Sequence, residues 1–297
     1  GRARAGPTRS SPDAPVHPDQ VLMVSGSQQG LDLLAKVLIN PGDKVLVETP
    51  TYLGALQAFS LFEPRFVSIA SDDDGLLPET IGESSRGAKF LYCLPNFQNP
   101  TGRLLAEERR YRLAEKAREL NFLILEDDPY GDLSYAGEKP PTIRSLAPER
   151  TVYMGSFSKI LSPGIRLGYV IAPEALRAKL VQAKQATDLH TSTLAQMSAY
   201  QIVKDGFLNT HIPTIRKLYG AQCQAMLEAL SRHMPEGVRW NNPKGGMFLW
   251  AELPSGLDAA ALLKRAVDAN VAFVPGAPFF AANPVNEALR LAFVTVP

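Results

Sequence analysis

The sequence predicts an α/β protein, a mostly parallel sheet covered by helices on both faces and followed by a small α+β unit. Three observations carry this. From residue 21 onward, short β-branched runs alternate with helix-length segments, the pattern of βαβ units. From 237 onward the pattern changes to short strands around a single helix. The composition, 45% hydrophobic and 21% charged over 297 residues, is that of a globular chain, which excludes disorder and a fibre as overall readings.

The elements follow in order. Residues 1–20 hold four prolines and three arginines without a hydrophobic period; they read as an irregular lead-in. No apolar h-region follows them, so they do not read as a signal peptide. A large domain is expected over 21–205. Its strands are VLMVS (21–25), KVLVE (44–48), RFVSIA (65–70), AKFLYCL (88–94), NFLILED (121–127), TVYMG (151–155) and LGYVIA (167–172). Helices are expected over 27–39, 53–61 and 106–120, while Asn-Pro-Gly-Asp (40–43) and Asn-Pro-Thr-Gly (99–102) are turn signals. The acidic run Asp72, Asp73, Asp74 has no strand placing it and reads as a solvated turn. After 173 the pattern is helical to about 234, with breaks near 188–193 and 205–206. The remainder, 206–297, reads as a connecting helix and an incomplete small C-terminal domain, with strands at 237–241, 247–252, 271–274 and 289–294 around a helix at 258–269.

Charge and cysteine usage narrow the function. Lys+Arg 31 against Asp+Glu 30 leaves a net charge of +1, which gives no polyanion-binding footprint. Cys93 and Cys223 stand far apart and neither belongs to a CxxC pair, so no disulfide scaffold or zinc ribbon is expected. No apolar run reaches the ~20 residues a membrane helix needs. A cytoplasmic α/β protein, with no metal and no membrane partner, is the expectation.

Five segments after strands carry chemistry. In Gly155-Ser156-Phe157-Ser158-Lys159 a lysine sits in a serine-rich turn, and Arg166 follows seven residues later. An amine whose pKa is lowered by its neighbours is a nucleophile towards carbonyls, and hydroxyls with an arginine suit a phosphate. Ser25-Gly26-Ser27-Gln28-Gln29 marks a strand-to-helix junction, where free N–H groups bind phosphate; alone it reads as a serine N-cap. Glu126-Asp127-Asp128-Pro129-Tyr130 puts carboxylates at the end of an apolar strand, where open α/β sheets bind ligands; a solvated loop suits Asp128. Asn96 to Gly102 offers an amide, and Thr49-Pro50-Thr51-Tyr52 an aromatic plane. Together these are the groups pyridoxal phosphate requires: phosphate capture, ring stacking, hydrogen bonds to the ring oxygen, a partner for the ring nitrogen and a Schiff-base lysine.

With SGSQQGLDL, ETPTY, PNFQNPTG, EDDPYG, GSFSKILSPGIRLG, PKGGMFLW and LRLAF in this order, the chain resembles the class I/II aminotransferases of fold type I from 21 to 296. It is most similar to the 2-aminoadipate and kynurenine/aminoadipate branch, through AKQATDLHTS, the seven-residue Lys-to-Arg spacing and VAFVPGAPFF. The resemblance implies a seven-stranded sheet and a homodimer with its site at the subunit interface. It implies amino transfer from 2-aminoadipate, a leucine-like or an aromatic amino acid to 2-oxoglutarate. By motif, Lys159 would form the Schiff base and act as the proton-shift base, and Asp127 would face the ring nitrogen. Asn99 and Tyr130 would hold the ring oxygen and Tyr52 would stack on the ring. Ser27, Gln28, Ser156, Ser158 and Arg166 would bind the phosphate, and Arg290 the substrate α-carboxylate. In the family a further N-terminal stretch, with a mobile substrate-selecting helix, and a last C-terminal helix flank this span; the sequence is expected to lack both. Two alternatives stay open. One is the effector module of a MocR/GntR-type regulator, which would bind nucleic acid through an upstream winged helix; the other is a fold-type I C–S lyase.

Overall fold

A computed structural model describes residues 16–135 and 140–294. The expected lead-in lies outside the described residues as far as 15; Pro18–Gln20 form one 3-10 turn capped by His17. The chain then runs β1 (Val21–Val24), α1 (Ser27–Leu38), β2 (Lys44–Glu48), α2 (Leu53–Ser60) and β3 (Arg65–Ile69). A short hairpin, β4 (Ser71–Asp72) and β5 (Gly75–Leu76), precedes β6 (Phe90–Cys93), α3 (Glu107–Leu120) and β7 (Leu123–Asp127). The single turn α4 (Ile143–Leu146) leads to β8 (Thr151–Ser156) and β9 (Gly168–Ile171).

Seven of these strands form one sheet in the order β1-β9-β8-β7-β6-β2-β3. β3, β2, β6, β7 and β8 pair in parallel, while β9 pairs antiparallel with both β8 and β1. Six strands therefore run one way and bring their carboxyl ends to one edge. Side-chain alternation divides the core in two. Val45, Val47, Phe90, Tyr92, Leu125 and Met154 pack with Leu31, Leu34 and Phe59 of α1 and α2. Leu46, Leu91, Cys93 and Ile124 pack on the other side with Leu113, Ala117 and Leu120 of α3. All three helices owe their place to an apolar stripe at three- and four-residue spacing.

The acidic run is solvated, with Asp73 and Asp74 in a turn, but a strand does place it. It is the β4–β5 hairpin, held by Arg109, whose guanidinium grips Asp72 through two bonds of 2.6 and 2.7 Å, and by Arg103 on Asp73 at 3.0 Å. These partners lie about thirty or more positions away, beyond the reach of local pattern.

After β9 come α5 (Glu174–Asp188), α6 (Thr193–Val203) and α7 (Phe207–His233), then β10 (Arg239–Trp240), β11 (Phe248–Glu252), α8 (Ala259–Asp268), β12 (Val274–Pro275) and β13 (Ala288–Ala292). The last four strands form an antiparallel sheet, β10-β11-β13-β12. The strand expected at 271–274 only begins to pair at Val274, because the Val271 amide is still bonded to Ala266 O as the chain leaves α8, with Asn270 left-handed. α6 buries only Ala199 and leaves Leu194, Met197 and Ile202 exposed, with Leu189 beside them in the preceding link. Tyr135, whose hydroxyl donates to Gly246 O and whose amide donates to Lys244 O, ties the small sheet to the loop after β7.

Candidate active site

The common strand direction gathers the predicted segments at one edge. Asp127 ends β7 and Ser156 ends β8; the turn at Gly26 follows β1, the Tyr52 turn follows β2 and the 95–102 loop follows β6.

Asp127 is 2% exposed. Its Oδ2 accepts from the Tyr92 hydroxyl at 2.8 Å, and its Oδ1 is buried without a partner. Burial pushes its pKa up to about 7 against the pull of the Tyr92 bond, and the charge of Asp128 adds to the rise. An orphan carboxylate oxygen in a dry site costs stability unless a donor arrives. Asp128, by contrast, is buried rather than solvated and accepts from the Tyr153 hydroxyl at 2.8 Å.

Lys159 is half-buried. Burial, and then the charges of Arg290 and Arg166, hold its amine below the ordinary lysine value, which favours the nucleophilic neutral form. Ser156 Oγ accepts from the Ser158 amide at 3.1 Å, closing the turn that carries Lys159. Arg166 has φ 49° after a 3-10 turn, and its guanidinium lies against Gly26, where any Cβ would collide with it. Gly26, at φ 82°, is the N-cap of α1 and no side chain caps this helix. The serine cap that the sequence allowed is absent, so the first α1 amides, at Ser27 and Gln28, are left to meet an anion next to Arg166.

Tyr52 stands at the N-cap position of α2 and its hydroxyl donates to Gln28 Oε1 at 3.4 Å, while Gln28 Nε2 donates to Gly54 O at 2.8 Å. Asn99 Nδ2 stands 3.5 Å from the Tyr130 hydroxyl, and Asn99 Oδ1 accepts from Arg290 Nη1 at 2.7 Å. Arg290, on β13, lies over the Phe248 ring at 4.3 Å and the Phe279 ring at 5.2 Å. Its Nε has no partner. Burial lowers its pKa against Tyr130 and Tyr52, yet a guanidinium stays charged.

Five supporting residues escaped sequence reasoning. Tyr92 orients Asp127, and Phe59 packs edge-on against it at 5.5 Å. Phe248 and Phe279 carry Arg290. Glu48, 2% exposed and raised to about 7 by burial, accepts from the Leu94 amide at 2.9 Å and braces the loop holding Asn99. The signals were present for two of them: a phenol inside a strand buried on both faces must find an acceptor, and a carboxylate closing an apolar strand must find donors.

Among the described residues, no group of three or more His, Cys, Asp or Glu could hold a metal ion, and no helix is long and apolar enough to cross a membrane. The family described as "Aminotransferase class I and II" matches residues 5–296. The chain is 47% identical over 293 residues to aromatic-amino-acid aminotransferase 1 of Thermococcus litoralis, covering 96% of this chain and 70% of that protein. It is 45% identical over 288 residues to 2-aminoadipate transaminase of Thermus thermophilus, covering 95% and 72%. The structure of α-aminoadipate aminotransferase from Thermus thermophilus, complexed with N-(5′-phosphopyridoxyl)-L-leucine, superposes with a TM-score of 0.90 at 45% identity, covering 95% of this chain and 74% of that one.

Proposed function

This chain belongs to the class I and II aminotransferases, pyridoxal-phosphate enzymes that move amino groups between amino and 2-oxo acids, and we propose which of its residues do so and on what substrate. The observation that carries the reading is the buried, donor-seeking Oδ1 of Asp127 at the same sheet edge as the depressed amine of Lys159. When bound, the cofactor supplies an aldehyde that condenses with amines and a ring that takes up electrons.

The chain's own groups do the rest. The Lys159 amine would hold the cofactor covalently and, when free, would carry the proton from the substrate α-carbon. Asp127 would hold a proton on the ring nitrogen through its open oxygen, with Tyr92 fixing the other. Asn99 and Tyr130 would donate to the ring oxygen, and Tyr52 would cover the ring. Ser27, Gln28, Ser156, Ser158 and Arg166 take the phosphate. Arg290, held flat by two aromatic rings and oriented by Asn99, takes the substrate α-carboxylate in a fork geometry.

The relatives' names support 2-aminoadipate or an aromatic amino acid as donor, and the L-leucine adduct in the Thermus thermophilus structure supports a leucine-like one; 2-oxoglutarate is the acceptor of this reading. The regulator and lyase alternatives are not favoured, since the relatives at 45–47% identity are named for amino transfer. We further read 21–205 as the cofactor-carrying unit and 206–297 as the smaller one. The exposed apolar face of α6 is read as the contact of a cytoplasmic homodimer that completes the site.

The experiment is spectral. Wild type mixed with pyridoxal phosphate acquires a bound-cofactor band that Lys159→Ala lacks; identical spectra would remove Lys159. In a donor panel, 2-aminoadipate should bleach that band faster than aspartate does, and the reverse order would reject the substrate class.

A further inference from the structure

The segment Ala183 to Ser192 has no place in the chemistry above, yet it is fastened to the wall of the site. Lys184 Nζ, on a side chain only 4% exposed, bonds both oxygens of Asp188, at 2.6 and 2.7 Å. Asp188 ends α5, and its Oδ2 also accepts from Gln29 Nε2 at 2.8 Å and from Ser25 Oγ at 3.2 Å. Gln29 returns the grip: its Oε1 accepts from the Ser25 amide at 2.8 Å. Thr191, also buried, lies 3.4 Å from Ser25 Oγ and donates to Met23 O at 3.3 Å. The turn between β1 and α1 is thus held through the backbone and the side chain of Ser25, from a helix more than 150 residues away.

This bracing answers a local need. Gly26 adopts φ 82°, ψ 158° and the helix behind it has no side-chain cap; the side-chain bond that fixes the turn is Gln29 on the Ser25 amide, and Gln29 is itself held by Asp188. Asp188 is an anion and cannot itself hold a phosphate. Its charge is spent on Lys184, and that leaves Arg166 as the cation facing the amides.

We propose that Lys184 and Asp188 are positioning residues for phosphate capture: acting through Gln29 and Ser25, the half-buried ion pair sets the turn that presents the α1 amides, and so sets affinity for the phosphate ester without touching it. The proposal rests on the reading of this turn as the phosphate site. It separates phosphate affinity from attachment at Lys159, which lies on another strand end.

The test uses the whole chain, freed of cofactor, in wild-type, Asp188→Asn and Gln29→Met forms. Dissociation constants are measured for pyridoxal phosphate and for unphosphorylated pyridoxal, and protection against thermal unfolding is measured with inorganic phosphate. Loss of a charge-assisted bond in the brace should weaken pyridoxal phosphate and phosphate by roughly tenfold or more for Asp188→Asn, and less for Gln29→Met. Pyridoxal binding should stay within about twofold of wild type. The double variant Lys184→Met, Asp188→Leu replaces the pair by apolar side chains, which keeps the fold where single variants lose it. It should melt near wild type and still lose phosphate affinity. Equal losses for both aldehydes, or unchanged phosphate affinity in the double variant, would overturn the proposal. A wild type that binds neither pyridoxal phosphate nor phosphate would instead sink the cofactor reading beneath it.

Discussion

Glu126 and Asp127 are neighbours on β7, at 0% and 2% exposure, and burial pushes both up to about 7. They point to opposite faces of the sheet and meet opposite fates. Glu126 accepts from the Ile143 amide at 2.9 Å and from the Arg144 amide at 2.8 Å, one on each oxygen, with the Arg110 charge nearby. Asp127 receives, among the described residues, only Tyr92, on one oxygen. Neither burial nor a perturbed pKa separates a working group from a structural one; completeness of hydrogen bonding does. On the α3 face the carboxylate is sealed into the fold, pinning α4 to β7. On the α1 face one oxygen is kept open.

The sharpest way to break this comparison is to neutralise each partner in turn. Asp127→Asn should lower kcat by about a hundredfold or more while leaving the melting temperature near wild type, since a charge aimed at the reacting ring is lost. Glu126→Gln should do the reverse. Its new NH2 faces an amide donor, costing about 1–3 kcal/mol of stability in denaturant melts with kcat little changed. A swap of these outcomes would mean the faces have been misassigned.

Arg290→Lys keeps the charge but not the fork, and should raise KM for every amino donor by about tenfold. A rise confined to one donor would place Arg290 at the side chain rather than at the α-carboxylate.

The pH dependence of the cofactor-free protein is a smaller effect. Both folded carboxyls titrate near 7, against 3.8 for an ordinary Asp and 4.5 for an ordinary Glu. Between those limits the folded state holds more protons, so its stability falls as pH rises from about 4 to about 7 and levels off above. Melting temperature should therefore be higher at pH 5 than at pH 8, and each neutral variant should flatten the slope. A slope of the opposite sign would show that burial does not govern these groups.

Tyr92→Phe is the mildest change. It removes the bond that lowers Asp127, so the acid limb of cofactor binding should move to higher pH with less than tenfold loss in kcat. An unmoved limb would reduce Tyr92 to packing.

Much of this was legible in the chain, and the reasons differ by element. The central strands of the large sheet include runs such as KVLVE, buried on both faces, so β-branched composition declares them. Lys159, Asp127 and Arg166 were visible because strand ends and turn residues bracket them. β12 was misplaced by three residues because a helix exit, settled by Asn270, consumed the Val271 amide first. Asp128 was read as solvated because nothing local announces Tyr153, 25 residues on, as its donor.

The order of strands, helices and turn residues was thus written in the sequence, since hydrophobic period and backbone preference act over a few residues. Which carboxylate is sealed and which is left open, why α1 has no cap of its own, and how Lys184 and Asp188 reach the turn at Ser25 were decided only by the tertiary structure. Hydrogen-bond completeness depends on donors brought from 17 to 163 residues away, and no local pattern encodes which of them arrive.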